Sequence, residues 1–309
     1  MHLPGSPVTV ASVHQPVMGT TLDLHVTARD RETATAAERS TVAHALDLER
    51  RLTVFDPTSE LCRWRAGEVA EPSAELLALL TLADHWQRVS EGAFNPMAGL
   101  LSRRWTRAAS DGTAPSRDEM AELAASIASP RFEVADGRVI VAGDVTTMNL
   151  NALAKGFVVD RIATSAMEQF GLVALLVNAG GDLTHRGDGT ATIAIEDPLR
   201  PYDNAEPVSR VRFSNAALAT SGPARRWFQV GDERFNQVLD PRTGWPVEGL
   251  VSVSVLASDA ATADVVATVL SAVGPAHAVD TADRLGVAAL LVLPDGTLLR
   301  NEWWTAAEV

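Results

Sequence analysis

The chain has 309 residues, 46% of them apolar, 21% charged and 5% aromatic, with 39 acids against 26 bases and a formal net charge of −13. That is the composition of an ordinary globular protein, long enough for one large domain or two small ones. Acidity throughout argues against nucleic acid and against an anionic membrane surface, and the single cysteine, Cys62, excludes an intramolecular disulfide and any cysteine-rich metal cluster.

Residues Met1–Val13 show neither a basic start with an apolar run nor a cysteine for lipid attachment. The chain as written is therefore expected to be cytoplasmic, and periplasmic or at the cell surface if its N-terminus has been trimmed. No stretch approaches the roughly 18 to 20 uninterrupted apolar residues of a membrane span. Val17–Thr27 alternates apolar and polar residues like a half-buried strand, and Thr33–Arg51 has helical periodicity. A helix is predicted over Pro72–Ser90, ended by Gly92, and another over Ser116–Ala128 with a capping box of Ser116 and Glu119. Arg131–Ala142 reads as a hairpin turned at Asp136-Gly137.

From Asn149 a short polar turn leads into a helix over Ala152–Phe170, closed by Gly171, and then the apolar strand Leu172–Val177. Strands are predicted at Ala191–Glu196, Ser209–Phe213, Arg226–Val230, Arg234–Leu239 and Leu250–Ala257. Helices follow at Ala260–Val273 and Pro275–Leu285, and a last hairpin turns at Asp295-Gly296. Strands outnumber helices in this half and are joined largely by hairpins, which points to an α+β fold of mostly antiparallel sheets with flanking helices. Without repeats or a low-complexity linker, residues 1–309 are expected to form one compact domain with two lobes.

Only one of the 26 basic residues is a lysine, Lys155. It falls in the first turn of a predicted helix, where unsatisfied backbone N–H groups favour an anion, and Gly156 beside it lets a ligand or another backbone come close. A compact ammonium suits a tight phosphate site better than a wide guanidinium; the alternative is a surface lysine left over in an arginine-rich composition. Asn178-Ala-Gly-Gly-Asp182 follows a buried strand, as cofactor-approaching turns do, and Thr220-Ser-Gly222 and Asp240-Pro-Arg-Thr-Gly244 are further small polar turns. Each is as readily a plain loop as a site. On the helix after Asp259, Val265, Val266, Val269, Leu270 and Val273 form an apolar face. Asp264 and Thr268 lie opposite among Ala260, Ala261, Ala267, Ser271 and Ala272. A face of small residues carrying one carboxylate and one hydroxyl is either a pair of hard-metal ligands, suited to Mg²⁺, or a plain packing face.

The order of these segments carries more information than any one of them. Met18-Gly-Thr20, Ser59-Glu60, Gly92-Ala-Phe-Asn-Pro96, Ala152-x-x-Lys155-Gly156-x-x-x-Asp160, Asn178-Ala-Gly-Gly-Asp182, Thr220-Ser-Gly222, Asp240-Pro-Arg-Thr-Gly244 and Ala263-Asp264-x-x-x-Thr268 occur in that sequence. The chain, from about Met18 to Gly274, thereby resembles the ApbE family of FAD:protein FMN transferases. The resemblance implies a two-lobed α+β fold with the flavin between the lobes. It also implies transfer of FMN from FAD to a threonine or serine hydroxyl of an acceptor protein carrying a flavinylation-type motif, through a phosphoester bond, with AMP leaving and Mg²⁺ required. Carried over by position, the backbone carbonyl of Ala152 and the side chains of Asp264 and Thr268 would hold the metal. FAD contacts would come from Met18, Phe55, Ala93, Phe94, Asn95, Asn149, Lys155, Gly180, Gly181, Asp182, Ser221 and Val238, with Lys155 and Asp264 as the catalytic groups.

Four positions depart from the family pattern. Asn149 and Asn95 stand where aspartates are usual, Gln237 where a histidine is usual, and Arg65 where an asparagine closes the Ser-Glu motif. Glutamine cannot act as a general base, so the resemblance leaves the acceptor hydroxyl without one. Two further readings stay open on this ground: an FAD-binding protein without transfer activity, and an Mg²⁺-dependent pyrophosphatase that cleaves FAD to FMN and AMP.

Overall fold

In a computed structural model of the chain, which describes residues 6–202, 205–222 and 227–309, the first element is a hairpin. Strands β1 (Val8–Val17) and β2 (Thr20–Ala28) pair antiparallel across Met18-Gly19, both at positive φ (53° and 68°), the turn geometry that follows the twist of paired strands. The predicted strand Val17–Thr27 is thus β2 with the turn in front of it. β1 escapes prediction because it is a sheet edge whose outward residues Thr9, Ala11, Val13 and Gln15 are exposed, which blurs its alternation. Helices α1 (Arg31–Leu52), α2 (Glu60–Arg65), α3 (Ala74–Val89), α4 (Gly99–Asp111) and α5 (Arg117–Ile127) follow, with one 3₁₀ turn at Pro96–Ala98. The sequence predicts neither α2 nor α4: the first is under two turns long, and the second buries only Gly99, Leu101, Trp105 and Ala108. Ser116 caps α5 by accepting from the Glu119 amide, but the Glu119 carboxylate turns away to Arg104, so the reciprocal half of the predicted capping box is replaced by an ion pair.

The hairpin β3 (Phe132–Ala135) and β4 (Arg138–Val141) turns at Asp136-Gly137 as predicted. The long helix α6 (Asn151–Phe170) ends at Gly171 and leads to β5 (Ala174–Ala179) and β6 (Asp182–Gly187), joined at Gly180-Gly181. Then come β7 (Ala191–Ile195), β8 (Ser209–Phe213), β9 (Ala217–Ser221), β10 (Trp227–Val230), β11 (Glu233–Asn236) and β12 (Ser252–Ala257). Arg226, the predicted start of the β10 segment, lies outside the described residues. Helices α7 (Ala260–Val273) and α8 (Pro275–Leu285) match their predicted bounds, and β13 (Ala288–Val292), β14 (Leu298–Arg300) and α9 (Glu302–Ala307) complete the chain.

Eight strands form one sheet in the order β1-β2-β5-β6-β9-β12-β13-β14, every neighbouring pair antiparallel. The fold class is α+β, as read from the hairpin connections. Alternate side chains leave the sheet on opposite faces. Leu175, Val177 and Ala179 of β5, with Val253 and Val255 of β12, join the large core made with the helices. Leu183 of β6, Leu218 of β9 and Leu290 of β13 enter a smaller core under the β7–β8 hairpin and Trp304 of α9. Helices α6 and α7 pack against each other over the first face.

Their contact is unusually close. A Cβ on Gly156 of α6 would sit 2.2 Å from the carbonyl oxygen of Ala260 on α7, so at this position only hydrogen fits. The small residues opposite the valine stripe of α7 thus serve packing, and the helix is buried nearly all round. Replacing Gly156 by alanine gains about 1 kcal/mol of helix propensity but forces two backbones apart, at a cost of about 3 kcal/mol. Gly156→Ala is therefore expected to destabilise the protein by about 2 kcal/mol net, measured by denaturant unfolding; equal or greater stability would contradict the packing described.

Candidate active site

The α6–α7 crossing assembles a set of oxygen donors. In a regular helix the Gly156 amide is given to the carbonyl four residues earlier, that of Ala152. Here that amide also lies 3.1 Å from Asp264 Oδ2, which puts the Ala152 carbonyl and the Asp264 carboxylate within reach of the same N–H. Thr268 follows Asp264 by one turn on the same side of α7. Ser271 ties its hydroxyl back to the Ala267 carbonyl at 2.8 Å, whereas among the described residues the Thr268 hydroxyl makes no such bond. Carbonyl, carboxylate and hydroxyl oxygens form the donor set of a hard divalent cation. Among the described residues, no group of three or more His, Cys, Asp and Glu side chains gathers as an alternative centre.

Burial pushes the Asp264 carboxyl above its ordinary pKa of 3.8, against the opposing pull of the Lys155 ammonium and the Gly156 amide. A carboxylate kept from water in this way gains from a cation beside it. Lys155 is the fifth residue of α6, so it stands on the second turn and not the first; its start is one residue earlier than the predicted Ala152. Its ammonium pairs with Asp182, whose side chain is 2% exposed while that of Lys155 is 29% exposed. The lysine thus lies between two carboxylates, one on β6 and one on α7.

Asp182 is positioned by a two-residue turn of the sheet. Gly180 and Gly181, at φ 61° and 98°, turn β5 directly into β6, so that Ala179 pairs with Asp182. Asn178 holds this turn, accepting from the Gly181 amide at 3.0 Å. The turn abuts the β1–β2 hairpin: the Gly180 amide donates to the Thr21 carbonyl at 3.1 Å, and a Cβ on Gly180 would collide with Thr20. Met18, Gly180, Gly181, Asp182 and Lys155 are therefore neighbours at one end of the sheet. Ser221 emerges at that same end, because the Leu183–Leu218 pairing runs β9 antiparallel to β6.

A second wall lies ahead of α6. The Asn149 amide donates to the Pro96 carbonyl at 2.7 Å, its side chain accepts from the Asn151 amide at 2.9 Å, and Gly99 packs directly on the Thr147 carbonyl. Arg65 reaches across from α2 to the Met148 carbonyl at 2.6 Å. Ala93, Phe94 and Asn95 are buried behind this wall. Asn95 uses both halves of its amide: Oδ1 accepts from Met97 at 2.8 Å and Nδ2 donates to the Ile127 carbonyl at 2.8 Å. The second bond needs a donor, which an ionised aspartate lacks, so the departure from the family pattern has a structural reason at this position.

Phe55 is 82% exposed on the loop before α2, and Gln237 is exposed between β11 and the Asp240 turn. Val238 is held by Asn236 and Val247, and nothing described joins it directly to the α6–α7 crossing. The Asp240–Gly244 turn is anchored from below by Trp105, which donates to the Gly244 carbonyl at 3.0 Å and packs on Phe235 and Trp245 at 4.9 and 5.1 Å between ring centres. Arg242 extends from it to the Ala272 carbonyl at the end of α7. Two contributors, Arg65 and Asp160, stand in the sequence motifs with no site role assigned to them there. Arg65 gives no local signal, since its partner is a backbone carbonyl. Asp160 stands four residues after Gly156, hence on the same side of α6, and that spacing is legible.

A carboxylate at a helix crossing, one ammonium beside it and two hairpin turns at the rim are groups suited to a cation and an anion, carried on an antiparallel α+β frame. Residues 18–291 match the ApbE family, and the chain belongs to it. The FAD:protein FMN transferase of Haemophilus influenzae is 27% identical over 303 residues, covering 92% of this chain and 86% of that protein. The protein of the same name from Klebsiella pneumoniae is 28% identical over 309 residues, covering 95% and 87%. A crystal structure of the ApbE protein from Thermotoga maritima shares the fold, with a TM-score of 0.83 at 24% identity over 98% of this chain and all of that one.

Two outcomes follow from this geometry. Asn95→Asp is expected to destabilise the protein by about 2–3 kcal/mol near neutral pH, because it sets a carboxylate against the Ile127 carbonyl in a buried place; chemical denaturation measures it. In EDTA near neutral pH, Asp264→Asn is expected to raise the melting temperature, by about 1–2 °C for each kcal/mol of burial penalty relieved in a chain of this size. A carboxyl whose folded pKa lies above 3.8 holds its proton more tightly when folded, so its ionised form opposes folding. That penalty disappears as the pH falls through the raised value, and the difference between wild type and variant narrows on acidification. Melting curves across pH check both the sign and the trend.

Proposed function

We propose that the protein is an FAD:protein FMN transferase, moving FMN from FAD to a threonine or serine hydroxyl of an acceptor protein. The observation that carries this reading is the buried Asp264 carboxylate on the Gly156 amide, within electrostatic reach of Lys155, in a chain of the ApbE family; the Ala152 carbonyl and Thr268 each lie one helical turn from that contact. The acceptor oxygen bonds to the phosphorus of the FMN half, the bond to the AMP half breaks, and the hydroxyl proton passes to solvent or base. Mg²⁺ bound by Ala152, Asp264 and Thr268 would neutralise pyrophosphate charge and stabilise the leaving phosphate. Lys155 supplies a compact positive charge on the same side, and Asp182 fixes its direction. The glycine turns at the sheet end allow a ligand backbone-close approach: among the described residues nothing lies within 4 Å of the position a Gly181 Cβ would take.

Gln237 favours a second reading, an FAD-binding protein with little or no transfer, because the residue at the usual histidine position is exposed and cannot accept a proton as a base. One incubation separates the readings. Purified protein is mixed with FAD, Mg²⁺ and an acceptor carrying a flavinylation-type motif, and AMP, free FMN and acceptor mass are measured. An acceptor adduct with equimolar AMP supports transfer. AMP and free FMN without an adduct point to hydrolysis, and bound FAD without AMP leaves only the binding reading. In the same assay Lys155→Arg is expected to lower FAD affinity or turnover by about tenfold or more, since the wider guanidinium cannot occupy the gap between Asp182 and Asp264 without displacing them. Normal binding and turnover in that variant would make the lysine an accident of composition.

A further inference from the structure

Helix α7 is fastened to α6 by two exchanged carboxylates. Asp264 of α7 accepts from the Gly156 amide of α6, and Asp160 of α6 accepts from two amides of α7, Ala260 to Oδ1 and Ala261 to Oδ2, both at 2.9 Å. Each carboxylate stands four residues, about one turn, beyond the glycine or alanine at which the helices touch. The first amides of a helix have no partner within it, and here Asp160 satisfies two of them while Asp259 takes that of Thr262. Arg186 of β6 lies 3.4 Å from Asp160 and donates to the Ser258 carbonyl at 3.2 Å, which ties the chain two residues ahead of α7 to the same group. Since Gly156 leaves no slack between the backbones, α7 cannot slide or rotate on α6 without breaking one arm of this exchange.

We infer that Asp160 is a positioning residue for the divalent-metal set: by clamping the start of α7 it sets how far Asp264 and Thr268 stand from the Ala152 carbonyl. The inference rests on the metal reading given above. The hydrogen bonds of Asp160 go to the Ala260 and Ala261 amides and to Arg186, not to the proposed ligands, and it acts through the register of the two helices. Partners of this kind, one shell removed from the metal, characteristically change affinity by about 10- to 100-fold when replaced. Asn at this position keeps the volume and one acceptor but turns an NH₂ group toward the second amide.

The test uses the full chain. Mn²⁺ binding without FAD is followed by electron paramagnetic resonance, FAD binding in EDTA by flavin fluorescence, and folding by thermal melts, for wild type, Asp160→Asn and Asp160→Glu. The expected result for Asp160→Asn is Mn²⁺ affinity reduced by about tenfold with metal-free FAD affinity unchanged, and turnover that recovers at raised metal concentration. Asp160→Glu, whose carboxylate is displaced by one methylene, is expected to show the same separation. Unchanged Mn²⁺ affinity in a folded variant overturns the inference, as does a parallel loss of Mn²⁺ and metal-free FAD affinity, which would mark a general structural role. Failure of both variants to fold also counts against it, since Asp160 would then govern the whole fold. A wild-type protein that binds no divalent metal sinks the metal reading itself, and is distinguishable from these outcomes.

Discussion

The closeness of two helix backbones at Gly156 and Ala260 is the constraint on which the rest of the site depends. Where a side chain would ordinarily hold two helices about 8–10 Å apart at their axes, a glycine opposite an alanine lets polar main-chain groups of one helix meet side chains of the other. That proximity brings a carboxylate to an amide inside the core, a place where an isolated charge would be costly. The same proximity explains why α7 lacks long side chains on one side. Its alanines are not an absence of function but the condition for placing Asp264 at all.

The electrostatics follow from this packing. Asp264 is driven toward its protonated form by burial, and Asp160 likewise, although two amides and Arg186 oppose the effect. Lys155 is shared between a carboxylate on the sheet and one on a helix, one ammonium facing two acids. The sheet contributes rigidity: Asp182 opens a strand fixed by neighbours on both sides, and the two abutting hairpin turns cannot shift independently.

Much of this was legible in the sequence, for identifiable reasons. The long helices and the hairpins at Asp136-Gly137 and Asp295-Gly296 carry strong local signals, because capping residues and positive-φ turns act over a few residues. The helices α7 and α8 are bounded by Asp259, Gly274 and Gly286, each of which ends or begins a helix on its own. Strand β1 was obscured by its position at the sheet edge, and β6 and β9 by lying behind turn residues that also start or end strands. The small face of α7 could be seen, but two meanings remained open, since a one-dimensional pattern cannot say which element fills the space. Asn95 shows the opposite limit: its difference from an aspartate is a single atom, and its reason is a carbonyl at Ile127, distant in the chain.

The far end of α7 is held as well, by Arg242 on the carbonyl of Ala272, so the helix has carboxylates at its start and a guanidinium at its finish. Both complement the helix dipole, yet they differ in their access to solvent. Arg242 is 41% exposed, whereas Asp160 is 19% exposed and its partners are main-chain amides within the packed crossing. Dissolved salt screens the first and scarcely reaches the second. Rising ionic strength would therefore weaken the grip of Arg242 on the end of α7 and leave the crossing unchanged, while Trp105 still holds the Asp240–Gly244 turn from within the core.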